Sequence, residues 1–211
     1  MMSEENIKEW IECNNDVEYF ISKYVKIVTL NGIESPKTNP KMLKMIKFIV
    51  NSEERGILRV DGDRQVGKTT NFLIALLYIM CFKDYKVAHL HTFKNNYAKE
   101  LINKLGLMFD ILPEWIKPKL VSKQSNRLHL ENGVYITAGS TTNFVRGRAI
   151  EFLLIDEAAW CNNFEEFYTF AVPALVSNPF SKVVMASTDN PLSMWKKIPI
   201  TKQITISHNE Y

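Results

Sequence analysis

The sequence of 211 residues predicts an α/β fold in which a mainly parallel β-sheet is flanked by helices and preceded by a helical N-terminal segment. From Gly56 onward, short runs rich in β-branched residues alternate with longer helical runs, and this alternation is typical of a parallel sheet covered on both faces. The predicted strands are Gly56–Asp61, Tyr85–Phe93, Leu128–Ser140, Glu151–Ala158, Lys182–Thr188 and Gln203–His208. The predicted helices are Lys68–Phe82, Asn95–Leu112, Phe164–Leu175 and Ser193–Lys197. Within Leu128–Ser140, an Asn-Gly pair predicts a tight hairpin, so one antiparallel ribbon should join the sheet.

The first part of the chain has apolar residues at the three- and four-residue spacing of amphipathic helices. We predict helices over Asn6–Cys13, Asp16–Val28 and Lys41–Asn51, with a turn-rich stretch before the last of them. The predicted organisation is a helical segment 1–55 packed on a core of residues 56–211, because no repeat or Gly/Ser linker marks another boundary.

Composition excludes several classes of protein. No apolar run is long enough to span a membrane and the start lacks a secretory signal, so we expect a cytoplasmic protein without a membrane partner. Three cysteines lie far apart, which argues against a disulfide framework or a zinc cage. His89 and His91 share a strand face and could form a metal pair, but buried sheet histidines are the favoured interpretation. The net charge of +3 neither requires nor excludes a polyanionic partner.

The loop after the first predicted core strand matches G-x-x-x-x-G-K-[ST], with Gly62, Gly67, Lys68 and Thr69 at the specified positions. Glycines allow backbone N–H groups to turn toward phosphate oxygens, and the following helix adds the positive end of its dipole. The lysine would reach the β- and γ-phosphates, and the threonine hydroxyl would be one Mg²⁺ ligand. The sequence therefore predicts a P-loop NTPase. The predicted nucleotide-binding residues here are Gly62, Asp63, Arg64, Gln65, Val66, Gly67, Lys68, Thr69 and Thr70.

Four apolar residues followed by Asp156 and Glu157 form a predicted buried strand with two carboxylates at its carboxyl end. Asp156 would hold Mg²⁺ through its water shell, and Glu157 would polarise the attacking water. The alternative is that the pair merely begins a helix, where acidic residues are also favoured. Given the loop, we favour hydrolysis, and we expect the ASCE or RecA-like arrangement, with a further strand between the loop strand and the acidic strand.

In that order along the chain, "DRQVGKTT", "FVRGRAIEFLLIDEAAW" and "VVMASTDN" resemble the ATPase motifs of the large terminase subunit of tailed bacteriophages, the motor that packages DNA. The segment "NDVEYFISKYVKIVTLNG" is similar to the part preceding the motor core in T-even terminases. The resemblance extends from Asn15 to about Asn190. It implies an ATPase that uses ATP and Mg²⁺ to move double-stranded DNA into the procapsid, in the host cytoplasm.

The resemblance also implies roles for individual residues. Arg64 matches a loop arginine that senses or stabilises the γ-phosphate, and Arg146 matches an arginine that reaches a neighbouring subunit's nucleotide; a solvated loop residue and a sheet-edge ion pair are the alternatives. Ser187, Thr188 and Asp189 match the coupling element, although an ordinary turn explains them nearly as well. The implied partners are the portal ring, the small terminase subunit and further copies of the chain in a ring, while the isolated domain would be a monomer.

Two departures from the family pattern bear on the prediction. Where relatives carry an aromatic-Gln pair that reads adenine, this chain has Thr38 and Asn39, so Asn39 is the candidate for contact with the base. Nothing resembles the family's nuclease domain, so we expect an ATPase domain only. The rival interpretations are a regulatory nucleotide-binding module and a helicase-like ATPase fragment.

Overall fold

A computed structural model of the chain describes residues 2–140, 149–162, 164–176 and 179–207. Its helices are α1 Glu4–Asn15, α2 Val17–Tyr24, α3 Pro40–Val50, α4 Lys68–Phe82, α5 Asn95–Ile111 and α6 Phe164–Val176. Its strands are β1 Ile27–Thr29, β2 Gly32–Glu34, β3 Gly56–Gly62, β4 Val87–His91, β5 Leu120–Gln124, β6 Arg127–Leu130, β7 Tyr135–Gly139, β8 Phe152–Asp156, β9 Lys182–Ser187 and β10 Lys202–Ile206. Short 3₁₀ helices span Ala158–Trp160 and Met194–Lys197.

Eight strands form one sheet in the order β10-β3-β9-β8-β4-β7-β6-β5. The neighbours from β10 to β7 pair in parallel, and β5, β6 and β7 pair antiparallel. The strand β9 lies between the loop strand β3 and the acidic strand β8, which confirms the predicted ASCE-type arrangement. Because parallel strands end at the same edge, the loop, the two carboxylates and the end of β9 lie side by side.

Both faces of the central strands are buried. In β8, Leu154 belongs to the apolar cluster on one face and Leu153 and Ile155 to the cluster on the other. Strand β9 alternates in the same way, with Val184 on one face and Met185 on the other. Continuous apolar runs are what a parallel sheet covered on both faces requires, so the predicted fold class is confirmed.

Helix α4 has the bounds that its sequence predicts. It is apolar around its whole circumference because it lies between the sheet, α3 and α5. The hairpin predicted at Asn132–Gly133 is also present, and Gly133 takes the positive φ of 80° that this turn needs. The side-chain amide of Asn132 donates to the carbonyls of Met80 and Lys83, which fastens the hairpin to the end of α4.

The secondary structure differs from the sequence prediction in two places. Helix α2 ends at Tyr24, and Ile27–Thr29 forms a strand instead of continuing the helix to Val28. A two-residue turn at Leu30–Asn31, followed by Gly32 with φ of 113°, brings this β-branched run back onto Gly32–Glu34. Strand β5 was not predicted, because three of its five residues are polar and it lies at the edge of the sheet.

The N-terminal helices contribute to the main core. The Phe20 ring contacts Phe82 edge-on, with ring centroids 5.1 Å apart, and also contacts Tyr78. The Lys182 ammonium at the start of β9 donates to the Phe48 and Ile49 carbonyls at the end of α3, so it caps that helix. Among the described residues, no helix is both long enough and apolar enough to cross a membrane.

Candidate nucleotide-binding site

The glycine loop joins β3 to α4 through two residues with left-handed backbone. Gln65 has φ of 61°, and Gly67, which precedes α4 directly, has φ of 78°. Gly62 also has a steric reason to be glycine, since a Cβ there would lie 3.0 Å from the Ile206 carbonyl oxygen of the neighbouring strand β10. Left-handed residues turn successive N–H groups toward one side, as an anion-binding loop requires.

The Lys68 side chain is buried beneath this loop. Its ammonium donates to the carbonyl oxygens of Gly62 at 3.0 Å and Asp63 at 2.5 Å. Burial lowers the pKa of Lys68, while the nearby carboxylates of Glu157 and Asp156 act in the opposite direction. A buried cation bound only to backbone oxygens can transfer its hydrogen bonds to an anionic ligand that enters the loop.

Asp156 lies at the end of β8, fully buried, and faces the first turn of α4. Its Oδ2 accepts a 2.7 Å hydrogen bond from the hydroxyl of Thr69 and a 3.3 Å bond from the hydroxyl of Tyr97. Its Oδ1 is buried and has no hydrogen-bond partner among the described residues. A hydroxyl and a carboxylate oxygen are ligands that Mg²⁺ prefers, so these residues fit a magnesium site.

Burial raises the pKa of Asp156 to about 6, and the neighbouring Glu157 carboxylate adds to this effect. The hydrogen bonds from Thr69 and Tyr97 act against it, because they favour the ionised carboxylate. A cation placed beside Oδ1 would favour the ionised form further.

Glu157 is held in an unusual backbone conformation directly after β8. Its φ of 52° and ψ of 47° are left-handed, which is uncommon for a residue with a side chain. The hydroxyl of Ser187, at the end of β9, lies 3.4 Å from the Glu157 carboxylate and donates to it. The sharp turn therefore directs Glu157 differently from the buried Asp156 that precedes it.

The last residue of β9 and the segment after it are hydrogen-bonded to the turn that follows Glu157. The Ser187 hydroxyl accepts from the backbone N–H of Ala159 at 3.1 Å, and the Thr188 hydroxyl accepts from the indole N–H of Trp160 at 3.0 Å. The Asn190 amide donates to the Ala159 carbonyl at 3.0 Å. The predicted coupling element is thus bonded to the residues next to the carboxylates.

A cavity of about 570 Å³ opens over these groups. It is lined by Arg64, Gln65, Phe93, Lys94, Tyr97, Glu157, Trp160, Asn162 and Thr188. The loop arginine, Glu157 and the coupling element therefore face one space. A larger cavity, of about 840 Å³, lies between α3 and β10 and contains none of the predicted site residues.

Other predicted residues have different positions. Asn39 is the N-cap of α3: its Oδ1 accepts from the N–H of Met42 at 2.9 Å, while its Nδ2 is buried and has no hydrogen-bond partner in the part of the chain that the structure describes. Arg146 lies outside the described residues.

His91 is buried and stacks on Phe167, and burial lowers its pKa to about 3. Where the structure describes the chain, no three His, Cys, Asp or Glu side chains are grouped as a metal site.

Sequence reasoning missed three residues of this cavity: Phe93 and Lys94 in the connection between β4 and α5, and Tyr97 in the first turn of α5. Their one signal is that they lie at or just after the carboxyl end of a predicted parallel strand. That signal does not identify the neighbouring strand, and the neighbour turns out to be the acidic strand β8. Trp160 is half exposed at the rim of the cavity.

Comparison with known proteins places this arrangement in a family. The family model described as "Terminase large subunit, T4likevirus-type, N-terminal" matches residues 62–200, well over half of the chain. The ATPase domain of the large terminase of Thermus phage P74-26 has a similar fold, with a TM-score of 0.61 and 15% identity over 76% of this chain and 68% of that one. The large terminase of bacteriophage HK97 gives a TM-score of 0.68 and 16% identity, over 87% of this chain but only 40% of that one.

The fold is shared with a second class of proteins. A DEAD box protein from Methanococcus jannaschii gives a TM-score of 0.53 and 15% identity, over 81% of this chain and 50% of that one. At such identities a structural likeness identifies the fold alone, so the family rests on the sequence match.

Proposed function

We propose, from the finding that this chain belongs to the T4-type large terminase family, that it is an ATPase domain which hydrolyses Mg²⁺–ATP to drive double-stranded DNA into a procapsid. The observation that carries the proposal is the 2.7 Å hydrogen bond between Thr69 of the loop and Asp156 of the acidic strand. It brings together the two residues that a Mg²⁺–nucleotide site needs, although they are far apart in sequence.

The nucleotide would bind with its phosphates in the loop of residues 62–70. Backbone N–H groups and the dipole of α4 favour the triphosphate, and Lys68 would exchange the Gly62 and Asp63 carbonyls for phosphate oxygens. Residues 1–55 would act as a lid on the adenine side. The amide nitrogen of Asn39, which is buried and has no partner within the described ranges, supports a role in contacting the base.

Thr69 and Asp156 would hold the magnesium ion, Thr69 through its hydroxyl and Asp156 through the buried Oδ1. When bound, the ion neutralises charge on the β- and γ-phosphate oxygens. The Thr69–Asp156 hydrogen bond orients both ligands before the ion arrives.

Glu157 is the proposed general base. It lines the cavity with Arg64, and the Ser187 hydroxyl orients its carboxylate, so it can accept a proton from a water placed between itself and the γ-phosphate. The Arg64 guanidinium would stabilise the negative charge that develops on the γ-phosphoryl group during its transfer. Arg146 of an adjacent copy would supply a second arginine.

Ser187, Thr188 and Asp189 would couple hydrolysis to movement. The hydrogen bonds of Ser187 and Thr188 to the turn after Glu157 would transmit a change at the γ-phosphate to the end of β9. The partners in this scheme are duplex DNA, the portal ring, the small terminase subunit and further copies in a ring, in the host cytoplasm.

A regulatory nucleotide-binding module and a helicase-like fragment are the rival functions. The shared fold does not separate them, but the family match favours the terminase. A module that switches without turnover would not need Glu157, whereas an ATPase does.

The test compares Glu157→Gln with wild type and with Glu166→Gln, an exposed glutamate on α6. We expect Glu157→Gln to bind ATP with little change in affinity and to lose at least ~10²-fold in hydrolysis rate. The control should hydrolyse ATP like wild type. Wild-type hydrolysis that does not depend on Glu157 would refute the proposed role. DNA-stimulated hydrolysis in the presence of the portal would test the motor function itself.

A further inference from the structure

Tyr97 lies in the first turn of α5 and reaches across to the acidic strand β8. Its hydroxyl donates to Oδ2 of Asp156 at 3.3 Å and lies 3.5 Å from the Thr69 hydroxyl. Its ring packs on Phe93, with centroids 5.2 Å apart, and it lines the cavity that contains Glu157. The side chain therefore links a third element, α5, to the loop and to the acidic strand.

The hydroxyls of Thr69 and Tyr97 both donate to the same oxygen of the Asp156 carboxylate. Oδ2 of Asp156 accepts from Thr69 and from Tyr97, whereas Oδ1 is buried without a partner in the described part of the chain. Two donors on one oxygen restrict rotation of the carboxylate about its χ2 angle, since rotation would break both bonds. The orientation of Oδ1 is thereby fixed.

We propose that Tyr97 is a positioning residue for magnesium, because it fixes the Asp156 carboxylate so that the free oxygen Oδ1 is available to the ion. This inference rests on the proposed function, since it concerns the same site. The Thr69 hydroxyl must serve the ion as well as Asp156. Among the described residues, the Tyr97 hydroxyl contacts only Asp156 and Thr69, so it can remain on Asp156 throughout the cycle. Outer partners of metal ligands typically change metal affinity or activity 10- to 100-fold when removed.

If Tyr97 had a purely structural role, the dependence of nucleotide binding on magnesium would respond differently to substitution. The aromatic ring fills space beside Phe93, and a phenylalanine would fill that space equally well. If packing were the only contribution, removal of the hydroxyl alone would leave the dependence on magnesium unchanged. Tyr97→Phe is therefore the informative substitution.

The experiment measures binding of a fluorescent ADP analogue to wild type and Tyr97→Phe across a series of free Mg²⁺ concentrations and in EDTA. The control is Tyr85→Phe, at a tyrosine whose side chain is largely exposed. We expect Tyr97→Phe to need roughly ten times more Mg²⁺ for half-maximal binding, with unchanged binding in EDTA. The control should match wild type, and the melting temperatures of the variants should stay close to that of wild type.

Three results would overturn the inference. Wild-type Mg²⁺ dependence in Tyr97→Phe would show that the hydroxyl does not position the ligand. An equal loss of binding with and without Mg²⁺ would show a packing or nucleotide role instead. If wild type itself bound no nucleotide, the proposed function would fail and this inference with it, so the two failures are distinguishable.

Discussion

The indole N–H of Trp160 donates a 3.0 Å hydrogen bond to the Thr188 hydroxyl. Trp160 belongs to the short helix after Glu157, and Thr188 follows the last residue of β9, so the bond joins the acidic turn to the coupling element. Both side chains line the cavity over the loop. A ligand in that cavity would therefore contact both Trp160 and Thr188.

Thr188→Val removes the acceptor and keeps the shape of the side chain. We expect nucleotide affinity to stay within about twofold and the hydrolysis rate to fall about fivefold, since one neutral hydrogen bond contributes about 1 kcal/mol. The measurement is steady-state hydrolysis beside equilibrium nucleotide binding. Thr205→Val, on the exposed side of the edge strand β10, is the matched control. An equal loss in both variants would mean that the Trp160 bond has no specific role.

Asp156→Asn should stabilise the metal-free protein at neutral pH. Burial raises the pKa of this carboxyl from 3.8 to about 6, so the folded state binds the proton more tightly than the unfolded state does. The stabilisation from that proton is complete below pH 4 and is lost as the pH rises through about 6. The cost to wild type above pH 6 is roughly 3 kcal/mol.

Chemical unfolding in EDTA checks this prediction. Asp156→Asn should exceed wild type in free energy of unfolding at pH 7.5, and the difference should shrink toward pH 4. A difference that does not change with pH would point to altered packing rather than titration of Asp156.

The two arginines should differ in how their effect depends on protein concentration. Arg64 lies in the chain's own cavity, so Arg64→Ala should lower the hydrolysis rate roughly 10³-fold at every concentration. Wild-type activity should rise more steeply than linearly with concentration if a neighbouring copy supplies Arg146. Arg146→Ala should abolish that steepness. Linear dependence in wild type would argue against an arginine acting between subunits.

The two side-chain atoms of Asn39 have separable roles: the oxygen caps helix α3, and the amide nitrogen is the candidate for contact with the base. Asn39→Ala should destabilise the protein by about 1 kcal/mol, because α3 loses the bond to the Met42 N–H. Asn39→Asp keeps a capping oxygen but loses the amide donor. It should therefore keep the bond to the Met42 N–H and lower the preference for ATP over GTP about fivefold. An unchanged preference would leave Asn39 as a helix cap only.

Several parts of the molecule are determined by short-range sequence alone. The bounds of α4 follow from a glycine before it and an apolar run within it, and the hairpin at Asn132–Gly133 follows from the backbone freedom of glycine. The buried strands β8 and β9 follow from continuous apolar residues. The loop and its acidic partner were predictable for the same reason, since each is a local pattern with a local physical cause.

Only the tertiary structure decided which strands are neighbours. The order β3-β9-β8-β4 places Tyr97, Phe93 and Lys94 beside the acidic strand, and no local pattern contains that order. The polar edge strand β5 and the hairpin β1–β2 were missed because pairing with a neighbour, rather than their own composition, makes them strands. Pairing between strands depends on contacts between segments that are distant in sequence. The hydrogen bond from Thr69 to Asp156 therefore depends on tertiary packing, which brings the two residues together. The hydroxyl and the carboxylate that form it were identifiable from the amino-acid sequence.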